Sequence, residues 1–319
     1  MACSARGATA RRAVLPGLLL ALGCSEASAA WVGDRYFPST LATVVPTPAD
    51  FFNPPNLIVL PTSAAGTREV DIATTFSKLI TKDWSVIATE TYTMLEPANA
   101  RTRYGFNNLV LSSQYALYTN EEHQFILTLA GTAAIGGTGA RQVAPRFTTL
   151  TPAIQLGKGF GDLPDSMAWL QPINFTANFG VAFPTESSTL FPITLPSGAS
   201  AITSIINPNI FQWSFALEYT FLTTNNYTRP DGKAAKYPTG WVPLVELAFQ
   251  TPLDGPLAGQ TTGTVNPGII KVDRYLQFAL EAIIPINRNS GHGIGVRAQA
   301  HLYLSELLPE SLGKPIFGD

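Results

Sequence analysis

Between positions 211 and 221 apolar and polar side chains alternate without a break. Phe211, Trp213, Phe215, Leu217, Tyr219 and Phe221 share one face; Gln212, Ser214, Ala216, Glu218 and Thr220 share the other. A period of two marks a strand, because successive side chains point to opposite faces. The pattern returns at 173–183, 275–286 and 293–305, and less regularly at 68–80, 84–95, 105–119, 124–135, 148–158, 241–250 and 262–271. These runs are longer than the five or six residues of ordinary sheets, and about ten residues is the length of a tilted membrane strand. Trp84, Phe211, Tyr219, Phe221, Trp241 and Phe249 stand near the ends of apolar faces. Membrane barrels place aromatics at both interfaces, and a soluble sandwich has no reason to. The expected fold is therefore all-β, a transmembrane antiparallel β-barrel.

The connections set the strand count. Short ones (81–83, 120–122, 272–273) tend to alternate with long ones (96–104, 136–147, 184–208, 251–261). Outer-membrane barrels have short periplasmic turns and long outer loops. The strand at 68–80 then runs inward and needs an outward strand before it, for which 56–61 (NLIVLP) is the candidate. The total is about 12, an even number as bacterial barrels require. One segment disobeys: 223–240 belongs on the periplasmic side yet is long.

The N-terminus reads as a cleaved signal peptide. Arg6, Arg11 and Arg12 precede an apolar core at 13–23, and Ala27-Ser28-Ala29 is a small-residue cleavage site. Arg11-Arg12 is a weak match to twin-arginine export. Cys24 follows Ala-Leu-Gly, whereas a lipidated cysteine usually follows Leu-Ala-Gly. The expected organisation is 1–30 signal peptide, 31–55 an irregular Pro-rich segment able to plug the lumen, 56–305 barrel, and 306–319 tail. Both cysteines, Cys3 and Cys24, fall in the export segment, so a disulfide framework is excluded beyond it. With 1–30 removed, 17 basic and 21 acidic residues remain. That balance speaks against a nucleic-acid partner. The expected partners are outer-membrane lipid and a small solute, with oligomeric state left open. Three histidines make a histidine metal centre improbable, and no cofactor is expected.

Several segments resemble the outer-membrane transporter family named after the meta-pathway of phenol degradation. They are 157–166 (GKGFGDLPDS), 242–252 (VPLVELAFQTP), 261–269 (TTGTVNPGI), 282–287 (AIIPIN) and 312–318 (LGKPIFG). The resemblance implies an outer-membrane barrel moving small or hydrophobic organic compounds. It assigns no site residues.

Strand parity nominates those. Glu218, Glu246 and Glu281 sit mid-strand opposite the aromatics, Arg297 and His301 project the same way, and Asp71 and Glu90 are candidates to join them. In a barrel these line the lumen and set selectivity through their carboxylate excess. The alternative is a structural network pairing Glu246 or Glu281 with Arg297. Enzymatic readings find little support. There is no Gly-x-Ser-x-Gly elbow, and His301 and Ser305 are about 13 Å apart on one strand. Residues 157–161 (GKGFG) lack phosphate-loop spacing and read as a turn, with 163–166 capping a short helix. Asp162 and Asp165 are too few for a calcium site.

Overall fold

The computed structural model describes residues 30–194, 200–228, 232 and 234–318. The expected signal peptide, Ala30 apart, lies outside them. Among the described residues twelve strands form one closed antiparallel barrel. They are β1 (Phe51–Val59), β2 (Thr67–Thr81), β3 (Trp84–Pro97) and β4 (Val110–Asn120). There follow β5 (Phe125–Ala134), β6 (Thr149–Gly159), β7 (Ile173–Pro184) and β8 (Ile210–Tyr219). The last are β9 (Ala234–Pro252), β10 (Thr262–Val272), β11 (Leu276–Pro285) and β12 (Gly295–Tyr303). Neighbours in sequence pair throughout, and β12 pairs with β1 to close the wall.

Alternation decides which side chain meets which medium. Leu57, Leu111, Leu129, Ile154, Leu217, Val245, Ile269, Phe278, Leu280 and Val296 are exposed on the outside. Trp84, Tyr115, Trp241 and Tyr275 ring them toward the short-turn end, and Phe106 and Phe183 toward the long-loop end. Between them many inward positions are polar: Ser85, Thr93, Gln114, Thr128, Gln155, Asn174, Thr176, Ser214, Asn266 and Gln277 are buried. A soluble protein would invert this arrangement. It is the architecture of an outer-membrane barrel.

Four local expectations are corrected. The first strand begins at Phe51, not Asn56, because Pro54 and Pro55 are absorbed in a bulge: two residues face one of β2 between Asn53 and Asn56. The strand expected at 105–119 starts at Val110, and Arg103–Phe106 is a separate piece paired to β3. The long segment at 223–240 is no loop. Phe221–Thr228 pairs with the first half of β9, so that β8 and β9 continue beyond the rim as a hairpin. The barrel ends at Tyr303, and Leu304–Leu307 forms a helical turn. The tail then returns to the wall, where Ile316 and Phe317 donate to the carbonyls of Leu79 and Ile80. It covers the stretch of β2 that extends past the start of β1.

The short-turn end carries a polar clasp. Asp162 accepts from Lys158 Nζ at 2.8 Å and lies 3.2 Å from His123 Nδ1. Burial pushes its carboxyl up, but the Lys158 and His123 contacts outweigh that and hold it below the usual carboxylate range. A depressed folded value adds stability above the ordinary carboxylate pKa, and that stability is lost as pH falls through the folded value. The barrel's unfolding midpoint in denaturant is thus expected to separate wild type from Asp162→Asn near neutrality and to converge in acid. A gap that persists in acid contradicts this origin.

Candidate functional site

Residues 31–50 enter the barrel from the short-turn end and cross its lumen. A two-residue hairpin, Trp31–Val32 against Arg35–Tyr36, starts the segment, and an irregular stretch leads to Asp50. Such a stretch cannot pair its own backbone, so the wall supplies the partners. Gln114 donates to Val45 O at 3.0 Å, Thr128 to Pro46 O at 2.5 Å, Ser77 to Ala49 O at 2.7 Å and Asn174 to Tyr36 O at 2.7 Å. Gln277 accepts from Ser39 N and returns a bond to Ser39 O. Residues 31–50 are a plug held by side chains from most of the circumference.

Glu246 is its strongest anchor. Its carboxylate is fully buried and accepts from Leu41 N (2.9 Å), Ala42 N (3.0 and 3.1 Å) and Thr43 N (2.6 Å). Three consecutive amides converge on one anion, the arrangement of an anion-binding nest. At the base, Arg35 donates to Gln124 Oε1 (3.2 Å), Thr220 Oγ1 (3.0 Å) and the carbonyl of Gln171. It joins three separate connections at the rim. Apolar contacts complete the seal. Tyr36 packs with Val242, Leu244, Ile270, Val272, Ala279 and Tyr303, while Val32 and Phe37 pack with Ile126. Full burial of a side chain such as Phe37 contributes about 1.5–3 kcal/mol.

The 157–161 segment takes a role that its reading as a turn missed. Gly157 and Gly159 close β6 and face the lumen, while Lys158 between them turns outward to His123 and Asp162. A Cβ on Gly157 would stand 2.9 Å from Pro46 and 3.1 Å from Phe37; on Gly159, 2.5 Å from Arg35; on Gly161, 2.8 Å from Arg35. The glycines make the seat of the plug. The helix expected after them is a 3-10 turn, Asp165–Met167, with Pro164 at its cap.

All five nominated residues point inward, but they separate into two environments. Glu218, Glu246 and Glu281 are each almost fully buried. Glu218 Oε2 accepts from Asn174, and Glu281 Oε1 accepts from Arg297 Nη1 at 2.5 Å. Arg297 and His301 instead line a cavity of about 300 Å³ left between plug and wall. Its wall is made by Phe51, Ile58, Ala73, Thr75, Ile87 and Gln299, its floor by residues 39–45. His301 stacks on Phe51 with ring centroids 4.7 Å apart, and its Nδ1 makes no hydrogen bond among the described residues. Asp71 also faces inward and accepts from Thr93 at 2.6 Å. Glu90 does not join the lumen. Ser85, Thr89 and Thr93 occupy the inward positions of β3, so Glu90 shares the outward parity of Trp84, Val86 and Tyr92. The small inward residues Ala73 and Thr75 shape the cavity but carried no chemical signal.

No family profile matches the chain, and no curated protein matches it. Among solved structures, a NanC porin in a rhombohedral crystal form is similar at 8% identity and a TM-score of 0.44. The match covers 80% of this chain and 98% of that one.

Proposed function

We propose that the protein is an outer-membrane channel that takes up a small organic solute through the cavity beside its plug. The short-turn end faces the periplasm and the long loops face outside, as strand connections in such barrels require. The observation that carries the reading is the cavity of about 300 Å³ bounded by Phe51, Ile58, Ala73 and Ile87, with Arg297, Gln299 and His301 beside them. Apolar walls with a few convergent polar groups bind compact, largely apolar molecules. Glu218, Glu246 and Glu281 set selectivity only in a state with the plug displaced. No step of bond-making chemistry is assigned to any of these residues.

The plug also favours a second reading, a barrel that binds a solute without passing it. One experiment tests both. Cells carrying the protein are expected to take up N-phenyl-1-naphthylamine, a neutral aromatic probe that fluoresces in lipid, faster than cells without it. Ala73→Trp fills the cavity and should abolish the gain. A gain that survives Ala73→Trp refutes the cavity as the route. Binding by the purified protein without any gain in uptake establishes the binding module instead.

A further inference from the structure

The wall of the barrel is interrupted beside the cavity. β12 and β1 pair from Val296↔Val59 to Ala298↔Leu57, and again from Leu302↔Phe52 to Tyr303↔Phe51. Between these the ladder lapses, opposite Pro54 and Pro55. Proline has no N–H to give, and a bulge carries the chain away from its neighbour. One side chain bridges the gap: Ala300 N donates to Asn56 Oδ1 at 2.8 Å.

The two faces of the gap are hollow. Inside, Asn53, Asn56, Gln299 and His301 line the cavity beside the plug. Outside, Pro55, Asn56, Leu57, Ala298, Gln299 and Ala300 line a depression in the apolar surface. It runs along β12, β11 and β10 to Trp241 and Lys271 near the short-turn rim. Asn56 and Gln299 line both hollows, so the inner and outer cavities meet the same stretch of wall. The outward residues of β12 there, Ala298 and Ala300, are small, whereas neighbouring outward positions carry Leu302, Phe278 and Leu280.

We infer that this gap is a side portal, through which a small apolar solute leaves the cavity for the surrounding bilayer, with Asn56 as its latch. The inference rests on the reading of the cavity as a solute site. An exit downward would require displacing a plug held from most of the circumference, whereas at the portal the backbone ladder has already lapsed and the two strands part by releasing the bond from Ala300 N to Asn56. The depression's position near Trp241 and Lys271 delivers the solute to the leaflet on the short-turn side.

The test uses N-phenyl-1-naphthylamine with the full barrel. Its binding is measured by isothermal titration of protein held in amphipathic polymer, and its delivery by fluorescence in outer membranes carrying the protein. Ala300→Trp fills the depression from the lipid side without reaching the lumen; Ile154→Trp places the same ring on the far wall. The expected result is retained binding but loss of protein-dependent delivery for Ala300→Trp, with Ile154→Trp unaffected. A second variant guards against misfolding. Leu57→Cys with Ala298→Cys joins a directly opposed pair, and opposed antiparallel residues lie about 4.5–5.5 Å apart, within disulfide range. Delivery should stop when the pair is oxidised and resume on reduction. Normal delivery with Ala300→Trp, or with the oxidised pair, overturns the portal while leaving the cavity standing. Absence of binding by wild type overturns the cavity, and the portal with it.

Discussion

Glu246→Ala is expected to turn a closed barrel into an open one. In planar bilayers the wild-type protein should show little or no conductance, because residues 31–50 lie across the lumen. The variant should show long, discrete openings. The carboxylate accepts amide hydrogens from three consecutive plug residues inside the barrel. A hydrogen bond to a charged group contributes about 1.5–3 kcal/mol, and donors left buried without a partner cost a comparable amount. Part of that loss is recovered when the freed amides meet water. A net weakening of about 3 kcal/mol shifts the plug equilibrium by about a hundredfold. Glu246→Gln keeps an acceptor oxygen without the charge, so it should open the barrel less. Heat-modifiable migration on gels shows whether each variant is folded.

The reversal potential adds a second readout. With the plug displaced, Glu218 and Glu281 remain in the lumen, and Arg297 offsets Glu281 through their 2.5 Å pair. The open Glu246→Gln channel should prefer cations, and Glu281→Gln added to it should weaken that preference. Folded Glu246→Ala protein as silent as wild type would mean that the nest does not govern the plug. The reading as a non-conducting binding barrel would then gain.

The strands were legible because lipid outside and a polar lumen inside write opposite chemistry on alternate residues. In β8, Trp213, Phe215 and Leu217 against Gln212, Ser214 and Glu218 leave only one register possible. The plug was legible only as an absence of alternation. Its backbone accepts hydrogen bonds from Gln114, Thr128 and Asn174 and donates them to Glu246, residues that equally suit a wet pore. Parity placed Glu246 inside, yet whether an inward carboxylate meets water or a second segment depends on contacts 203–205 residues away in the chain. Gly157, Gly159 and Gly161 looked like turn residues because a missing side chain leaves no trace of what fills its space. Pro54 and Pro55 hid the start of β1 for a related reason: a bulge breaks the period on which strand recognition depends.

Leu280→Arg is expected to destabilise the barrel strongly, and the cost reports the medium outside it. Leu280 lies in the middle of β11, 53% exposed, with its side chain on the outer face. On a water-facing surface such a change stays within about 0.5 kcal/mol. At the midplane of a bilayer an outward arginine costs about 2–4 kcal/mol, and the penalty fades toward the interfaces. Urea titration of folding into lipid vesicles measures the difference, with Asn289→Arg in the loop after β11 as a substitution that should cost nothing. The chain supplies its own point on the depth scale. Across the ladder Leu280 faces Ile269, and Phe278 faces Lys271, whose ammonium lies 5.1 Å from the Trp241 ring. A cation is thus tolerated one step nearer the rim, where a long side chain reaches the interface beside an aromatic. Phe278→Arg should therefore cost less than Leu280→Arg, although Phe278 is the larger apolar loss. Equal or reversed costs would show that the exposed apolar belt does not face lipid at these depths, and the membrane orientation argued from strand connections would fail with it.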